Sequence, residues 1–291
     1  MFGFRSDGKK TKNLSPFFKI LPHIMKTRCD SQVYYTEDIP IANMDRYINE
    51  KAERGIKISY MHIVFSALVR LAYERPVLNR FIMNGITYDR TGIHVSLVIK
   101  KGLNDDSEET SLKLKFTGNE NIFEIKKTIE EAVNENRDKE ASNNTDVLAK
   151  VLTIVPNFLI KFLVGTIKFL DHFGILPKFI INASPFHTTV FLTNVGSLGI
   201  DSIYHHIYDF GTTSIFLAMG KKKKTYIYEE DAIKEEKAIS FSFVCDERIC
   251  DGYYFANSIK LFRRYLKKPE LLEQQIKGEM EKSPEEEEII V

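Results

Sequence analysis

The chain has 291 residues, of which 43% are hydrophobic and 28% are charged. This composition can bury a substantial core and argues against disorder, so we expect one large globular domain or two closely associated ones. The 41 Lys and Arg residues are balanced by 40 Asp and Glu residues, and the net charge of +1 gives no electrostatic reason to expect a nucleic-acid partner.

The cysteines and the N-terminal residues indicate a cytoplasmic protein. Cys29, Cys245 and Cys250 form no CxxC pair and no disulfide framework, and MFGFRSDGKKTKN lacks the apolar core of a secretory signal. Cys245 and Cys250 have no neighbouring His at metal-ligand spacing, so we interpret them as small strand and turn residues. We expect no bound metal.

The first 55 residues predict an arm, a helix, a strand and a second helix. Residues 1–14 are basic and polar and are predicted to be a flexible arm. Ser15 can cap a helix over SPFFKILPHIMK, where apolar residues recur at helical spacing. Alternating β-branched and aromatic residues in SQVYYTEDIPI predict a strand, and ANMDRYINEKAERG predicts a helix that stops at Gly55.

The next segment predicts a buried helix and a β-hairpin. Ser59 is placed to cap a helix that is apolar on almost every side and ends before Pro76. Asn84-Gly85 lies between two strand-like runs, which is a strong hairpin signal, and a further strand is expected after Gly92. The segment SLKLKFTGNENIFEIKKTIEEAVNENR then predicts a strand followed by a charged helix.

The most apolar segment of the chain, residues 151–181, is predicted to be part of an amphipathic helical hairpin over about 146–181. Pro156, Lys161, Lys168 and Asp171 interrupt it, so it is too polar for a membrane-spanning helix. We favour packing of its apolar face against the domain or another subunit. Contact with a membrane surface is the alternative, which we rank lower because surface-binding helices usually carry a broader basic face.

The last third predicts buried strands, a hairpin and a closing helix. An acidic run then ends the chain, and residues 273–291 are predicted to be a disordered tail. Because helices and strands are mixed without strict alternation, the fold class predicted is α/β, a two-layer sandwich of a mixed β-sheet covered by helices. The domain is expected to run from residue 15 to residue 272.

Several segments follow one another in the order of a known family. They are MHIVFSALVRLAYERPVLNRFIMNGITYDRTGIHVSLVI (61–99), VFLTNVGSLG (190–199), FGTTSIFLAMGK (210–221) and ISFSFVCDERICDGYYFANSIKLFRRYLKKPELL (239–272). In this order they resemble the catalytic domain of the dihydrolipoamide acyltransferases of 2-oxo acid dehydrogenase complexes, which is related to chloramphenicol acetyltransferase. The resemblance implies a chloramphenicol acetyltransferase-like fold from about Ser15 to Leu272, with the apolar hairpin as an addition.

The resemblance also implies a chemistry. It implies transfer of an acyl group between acyl-coenzyme A and a thiol or hydroxyl acceptor, at sites formed between the subunits of a homotrimer. In the family's DHRxxDG pattern a His takes the proton from the attacking group, and a Ser or Thr hydroxyl donates to the oxyanion. No lipoyl-like domain precedes residue 15, so the acyl acceptor is expected to be a separate molecule.

Residue by residue, the pattern falls on Asp246, Arg248 and Asp251-Gly252, and the implied oxyanion donor is Thr193. The catalytic His falls on Glu247, where the sequence departs from the family. A carboxylate is a poor base for a thiol unless burial strengthens it, and loss of a positioned base costs about 10²- to 10⁴-fold in rate. Glu247 is thus either the base or a structural residue that accepts a salt bridge from a basic neighbour at the turn, such as Arg248 of another subunit. Thr193 is either the donor or a sheet residue bonded to backbone, and Asp251 is expected to shape the turn.

A histidine could replace the missing base. His205 and His206 lie in the connection between two of the family's strands, and adjacent residues of an extended chain point to opposite faces. We select His206 as the candidate, with His205 as the alternative, although either could be a packing or solvated residue.

Two functions remain open from the sequence. The first is a coenzyme-A-dependent acyltransferase with Glu247, Thr193, Asp251 and His206 as candidate site residues. The second is a catalytically inactive homologue that acts as a binding or scaffold protein. The sequence contains no GxGxxG, P-loop, HExxH or GxSxG motif, so dinucleotide binding, phosphoryl transfer, zinc hydrolysis and serine-hydrolase chemistry have no support.

Overall fold

The structure is a computed structural model that describes residues 5–100, 109–137, 156–229 and 232–276. The helices are α1 Pro16–Ile24, α2 Ala42–Glu53, α3 Tyr60–Glu74, α4 Ile122–Arg137, α5 Asn157–His172, α6 Lys178–Ala183 and α7 Gly252–Lys267. The strands are β1 Gly8–Lys10, β2 Gln32–Pro40, β3 Arg80–Met83, β4 Ile86–Arg90, β5 Ile93–Lys100, β6 Glu109–Phe116, β7 Val190–Asn194, β8 Ile215–Glu229 and β9 Ala232–Asp246.

The main sheet has six strands in the order β2-β9-β8-β7-β5-β6. β5, β7 and β8 run parallel to one another, and the other pairs are antiparallel. The sheet is therefore mixed, as the sequence predicts. Its longest pairing joins β8 to β9, and parts of the family-like segments 210–221 and 239–272 lie on this hairpin.

One face of the sheet packs on helices to form the core. Along β9, Ile239, Phe241 and Phe243 are buried on this face, and the rings of both phenylalanines meet Phe262 of α7 edge-on at 5.7 and 5.4 Å. The ten residues Ile63–Ala72 of α3 are buried without interruption, as its all-round apolar pattern predicts. Two layers share one core, and the predicted two-layer sandwich is confirmed.

A second, three-stranded sheet in the order β1-β4-β3 contains the predicted hairpin. Asn84 and Gly85 join β3 to β4 with φ of 52° and 67°. Positive φ at both central residues is the requirement of a type I′ turn, which Asn-Gly satisfies at low cost. The hairpin signal in the sequence was therefore correct.

The prediction of a flexible N-terminal arm is wrong from residue 5 onward. β1 pairs with β4, and Arg5 is buried between two carboxylates, with Nε 2.9 Å from Asp7 and Nη2 2.7 Å from Asp171. A basic segment looks solvated in the sequence because its acidic partner lies 166 residues away. The predicted tail also starts too early, since Glu273 pairs with Lys51 at 2.6 Å. Residues 1–4 and 277–291 lie outside the described residues.

The apolar hairpin appears as α5 and α6, while residues 146–155 lie outside the described chain. No helix in the described ranges is long and apolar enough to cross a membrane. The apolar face is predicted to pack against the domain or another subunit. Within one chain the phenylalanines of α5 do not pack against the domain, because Phe158, Phe162 and Phe169 are exposed. The buried side of α5 is instead the side of Asp171.

His94 on β5 predicts a sensitivity to acid. Burial, followed by the nearby charges of Lys113 and Arg90, lowers its pKa from 6.5 to about 3. Between these values the folded chain binds fewer protons than the unfolded chain, so its stability falls as the pH drops below 6.5. We expect His94 to account for a loss of about 2 kcal/mol by pH 5. Urea unfolding at pH 7 and pH 5 should show this loss in the parent but not in His94→Asn.

His172→Asn is the matched control for that experiment, because His172 is exposed. It should keep the acid sensitivity of the parent. An equal loss of stability in the parent and in His94→Asn would contradict the prediction.

Candidate active site

The turn that follows β9 is held by a buried ion pair. Asp246 is fully buried, and its carboxylate accepts hydrogen bonds from Arg248 Nε at 2.8 Å and Arg248 Nη2 at 2.7 Å. Ser31 Oγ donates to the same carboxylate at 3.0 Å, and Arg248 Nη1 donates to the Met25 carbonyl at 2.9 Å. A two-point pair of this kind is planar and directional, so it fixes the backbone on either side of Glu247.

Glu247 points outward from this turn. Its side chain is exposed, and its backbone amide donates to the Ser31 carbonyl at 2.8 Å. Within the residues that the structure describes, its carboxylate has no hydrogen bond and no salt bridge. Within one chain Arg248 does not pair with Glu247, because it is bonded to Asp246.

Asp251 begins the closing helix. Its Oδ1 accepts a hydrogen bond from the Tyr254 amide at 2.7 Å, which makes it the N-cap of α7. A carboxylate at this position satisfies an amide that has no partner inside the helix. The shaping role expected for Asp251 is thus a cap, and the side chain is exposed.

Thr193 lies at the end of β7 on the face of the sheet opposite the helices. Leu192 beside it is in the core, so alternation places Thr193 on the other face, half-buried. In the described ranges its hydroxyl has no hydrogen bond, and the bond to backbone considered for it is not made. Its hydroxyl is available to donate.

Thr193 and Glu247 do not meet within one chain. Thr193 is in register with Ala218 of β8, which is in register with Ser242 of β9. Glu247 is therefore two strands away from Thr193 across the sheet, which is roughly 10 Å on ordinary sheet dimensions. It is also five residues away in the strand direction, which is roughly 16 Å. A site that uses both residues needs a second copy of the chain.

The open face beside Thr193 carries a cluster of hydroxyl groups. Thr36 Oγ1 and Ser242 Oγ lie 2.7 Å apart, Ser242 donates to Ser202 Oγ at 2.7 Å, and Thr36 donates to Tyr204 OH at 2.7 Å. These hydroxyl groups were not among the predicted site residues. The signal was present in ISFSFVC, where serines alternate with core phenylalanines on a strand.

The two adjacent histidines point in opposite directions, as alternation predicts. His206 is exposed and meets the edge of the Tyr208 ring, whereas His205 stacks on Phe216 with ring centres 4.5 Å apart. Phe216 is on the same face as Thr193, roughly 7 Å along the sheet from it. Burial, and then the charge of His206, lowers the pKa of His205, whose Nε2 is buried with no partner in the described chain. The geometry favours His205 over the selected His206 as a neighbour of Thr193.

A cleft of about 470 Å³ opens beside the turn, between α1 and the β3–β4 hairpin. Five of its twelve lining residues are basic, namely His23, Lys26, Arg28, His172 and Arg248, and Asp209 in the same lining is acidic. Arg28 is buried and donates to the carbonyls of Ile82 at 2.9 Å and Asp209 at 3.2 Å. Burial lowers the pKa of Arg28, which indicates a cation that is incompletely neutralised.

The cysteines take no part in this arrangement. Cys245 and Cys250 are buried in the core at the two ends of the turn, consistent with small packing residues. Their mutual hydrogen bond, and then burial, raises the pKa of Cys245 and makes it a weak nucleophile. Over the described ranges no group of three or more His, Cys, Asp or Glu residues could hold a metal ion.

The mixed sheet, the helices on one face and the turn after β9 define a chloramphenicol acetyltransferase-like α/β sandwich. Residues 186–273, which include β7, β8, β9 and α7, match the family model of the 2-oxoacid dehydrogenases acyltransferase catalytic domain. The resemblance seen in the sequence is therefore confirmed. No curated protein matches the sequence.

Solved structures agree on the fold. A probable dihydrolipoamide acetyltransferase from Listeria monocytogenes superposes with a TM-score of 0.58 at 15% identity, covering 89% of this chain and 95% of the other. The cubic core of a pyruvate dehydrogenase multienzyme complex gives 0.56 at 10% identity, covering 91% and 94%. A chloramphenicol acetyltransferase gives 0.52 at 11% identity, covering 91% and 99%. At these identities the likeness establishes the fold.

Proposed function

We propose that this protein is an acyltransferase that moves an acyl group between acyl-coenzyme A and a thiol or hydroxyl acceptor, at a site shared by copies of the chain in a homotrimer. The observation that carries the proposal is that Glu247 and Thr193 each present a side chain without a partner in the described chain, and that the two lie apart within one chain. Glu247 stands on a turn fixed by Asp246 and Arg248, and Thr193 presents a hydroxyl without a partner in the described chain. A fold neighbour that is the core of a multienzyme complex supports assembly.

The proposed reaction begins with attack of the acceptor sulfur or oxygen on the thioester carbonyl. The Glu247 carboxylate takes the proton of the acceptor, and the Thr193 hydroxyl of another copy donates to the oxyanion of the tetrahedral intermediate. The intermediate then collapses, the bond to the coenzyme A sulfur breaks, and the proton passes from Glu247 to the leaving thiolate. Closure by a second copy would remove water from the carboxylate, which makes a carboxylate a better proton acceptor.

Thr193→Val provides the direct test of this function. We expect a drop in kcat of about 10²- to 10³-fold, the usual cost of removing one donor to an oxyanion. The assay separates coenzyme A from its short acyl esters by chromatography, since transfer to a thiol acceptor forms one free thiol for each one that it consumes. Thr193→Ser keeps a hydroxyl and should stay within a few-fold of the parent. Equal rates for the valine and serine variants would remove Thr193 from the reaction.

The basic cleft supports coenzyme A as the donor. Lys26 is an exposed cation at its edge, where it could meet a phosphate of the donor without a role in the fold. We expect Lys26→Glu to raise the KM for acyl-coenzyme A about tenfold, a change of about 1.4 kcal/mol in binding. The KM for an acyl-pantetheine, which lacks the nucleotide phosphates, should not change. A matching rise for both donors would argue against phosphate contact in the cleft.

The second candidate is an inactive homologue that binds partners or ligands. The exposed position of Glu247 favours it, because a solvated carboxylate is a weak base for a thiol. This candidate predicts no turnover by the parent and a gain of turnover in Glu247→His. Turnover by the parent that Thr193→Val abolishes would reject it.

A further inference from the structure

Helix α5 is locked in one orientation by a buried polar anchor. Asp171 near its C-terminal end is buried, and its carboxylate accepts from Arg5 Nη2 at 2.7 Å and lies 3.2 Å from His187 Nε2. His187 is itself buried and its Nδ1 is 2.8 Å from Ser184 Oγ. Because breaking a buried ion pair is costly, the helix cannot roll to bury a different side.

The side of α5 that faces away from this anchor is aromatic. Phe158, Phe162 and Phe169 are spaced by four and seven residues and therefore share one side of the helix. Between 60% and 72% of each side chain is exposed. After the helix, Ile175 and Phe179 are also exposed, by 59% and 72%. We call these five side chains the aromatic face. Contiguous exposed apolar side chains of this kind mark an interaction surface.

The charges around the aromatic face have one sign. In residues 156–183 the charged side chains are Lys161, Lys168, Lys178 and Asp171, and Asp171 is the buried anchor. Each exposed charge of this segment is therefore a lysine. Lys161 also lines a shallow groove of about 300 Å³ whose floor is Gly165, where the helix has no side chain and the space above it is open.

A two-fold contact with a second copy of the chain is a poor occupant for this surface. In a two-fold contact the same patch meets itself, which would bring Lys161 and Lys168 of one copy towards those of the other. An anionic lipid surface accepts both features, since phenylalanines enter the boundary of the acyl chains while lysines meet phosphate groups. A helix that lies in the surface also agrees with the absence of a spanning helix from the described ranges.

We propose that the aromatic face and its lysines form a membrane-surface binding site, on which α5 and α6 lie flat against anionic phospholipid. The site is separate from the turn that carries Glu247 and does not depend on acyl transfer. The sequence analysis favours packing against the domain or another subunit, and the first of these is not seen for the phenylalanines because the anchor uses the other side of the helix.

The test is sedimentation of the full chain with lipid vesicles of two compositions, phosphatidylcholine alone and phosphatidylcholine with phosphatidylglycerol. We expect binding to the anionic vesicles, weaker at high salt. Phe162→Ser/Phe169→Ser should lower the partition coefficient about tenfold or more, and so should Lys161→Glu/Lys168→Glu. These side chains are exposed, so each variant should unfold at the temperature of the parent.

Tyr226→Ser/Ile233→Ser is the matched control, since both side chains are exposed on the β8–β9 hairpin. It should bind vesicles like the parent. Failure of the parent to bind, or binding that the phenylalanine variant leaves unchanged, would overturn the proposal. Light scattering tests whether the aromatic face is instead a contact between copies of the chain. If the parent does not bind vesicles and forms an oligomer that dissociates in Phe162→Ser/Phe169→Ser, the aromatic face is a protein contact.

Discussion

Glu247→Gln should lower kcat for acyl transfer by about 10²- to 10⁴-fold, the range expected when a positioned general base is lost. Glutamine keeps the size and the hydrogen-bonding shape of the side chain but cannot take a proton. The KM for the acyl donor should change little, because the carboxylate is proposed to act on the acceptor. Steady-state turnover with a thiol acceptor measures both quantities.

Two histidine variants serve as controls for this prediction. His206→Ala should behave like the parent, since His206 is exposed and its ring meets the edge of Tyr208. His205→Asn tests the imidazole that stacks on Phe216 close to Thr193. A Glu247→Gln enzyme that keeps its activity while His205→Asn loses it would move the base to His205 and contradict the role of Glu247.

Asp246→Asn should lower the free energy of unfolding by about 3–5 kcal/mol, because it leaves the buried Arg248 guanidinium without its counter-ion. Asp246 is fully buried, and Arg248 and Ser31 both donate hydrogen bonds to its carboxylate. Urea unfolding followed by circular dichroism measures the change. Glu247→Gln, one residue away and exposed, should alter the same quantity by less than about 0.5 kcal/mol.

A double variant distinguishes loss of the ion pair from general damage to the turn. Asp246→Asn/Arg248→Met removes both charges, so it should recover part of the stability that Asp246→Asn loses. If Asp246→Asn were as stable as the parent, the buried pair would not be what holds the turn. This outcome would also weaken the argument that Glu247 is held in a fixed position.

Local signals in the sequence predicted the elements well. Ser59 caps α3 as expected, with the His62 amide donating to its hydroxyl at 3.3 Å, and Asn84-Gly85 forms the turn of the β3–β4 hairpin. These features depend on neighbouring residues only. The apolar runs of α3 and β9 were also sufficient to predict the core, since burial follows from periodicity.

The errors arose where partners are distant in sequence. Arg5 looked like part of a solvated arm because Asp171, which neutralises it, is 166 residues away. The same pair turns the phenylalanines of α5 outward, which no helical periodicity could reveal. For the candidate site, the sequence identified Glu247, Thr193 and Asp251 through the resemblance. It could not show that Glu247 and Thr193 lie apart in one chain.

Because Glu247 and Thr193 lie apart in one chain, mixed assemblies test the site shared between copies most directly. Glu247→Gln and Thr193→Val chains, each with a different tag, are produced together and the assemblies that carry both tags are purified. In a cyclic trimer that contains both variants, one of the three interfaces combines an intact Glu247 with an intact Thr193, whichever variant is present twice. We predict that these assemblies regain about a third of the parent turnover, far above either variant alone. Mixed assemblies that stay as inactive as the single variants, beside an active parent, would contradict a site shared between copies.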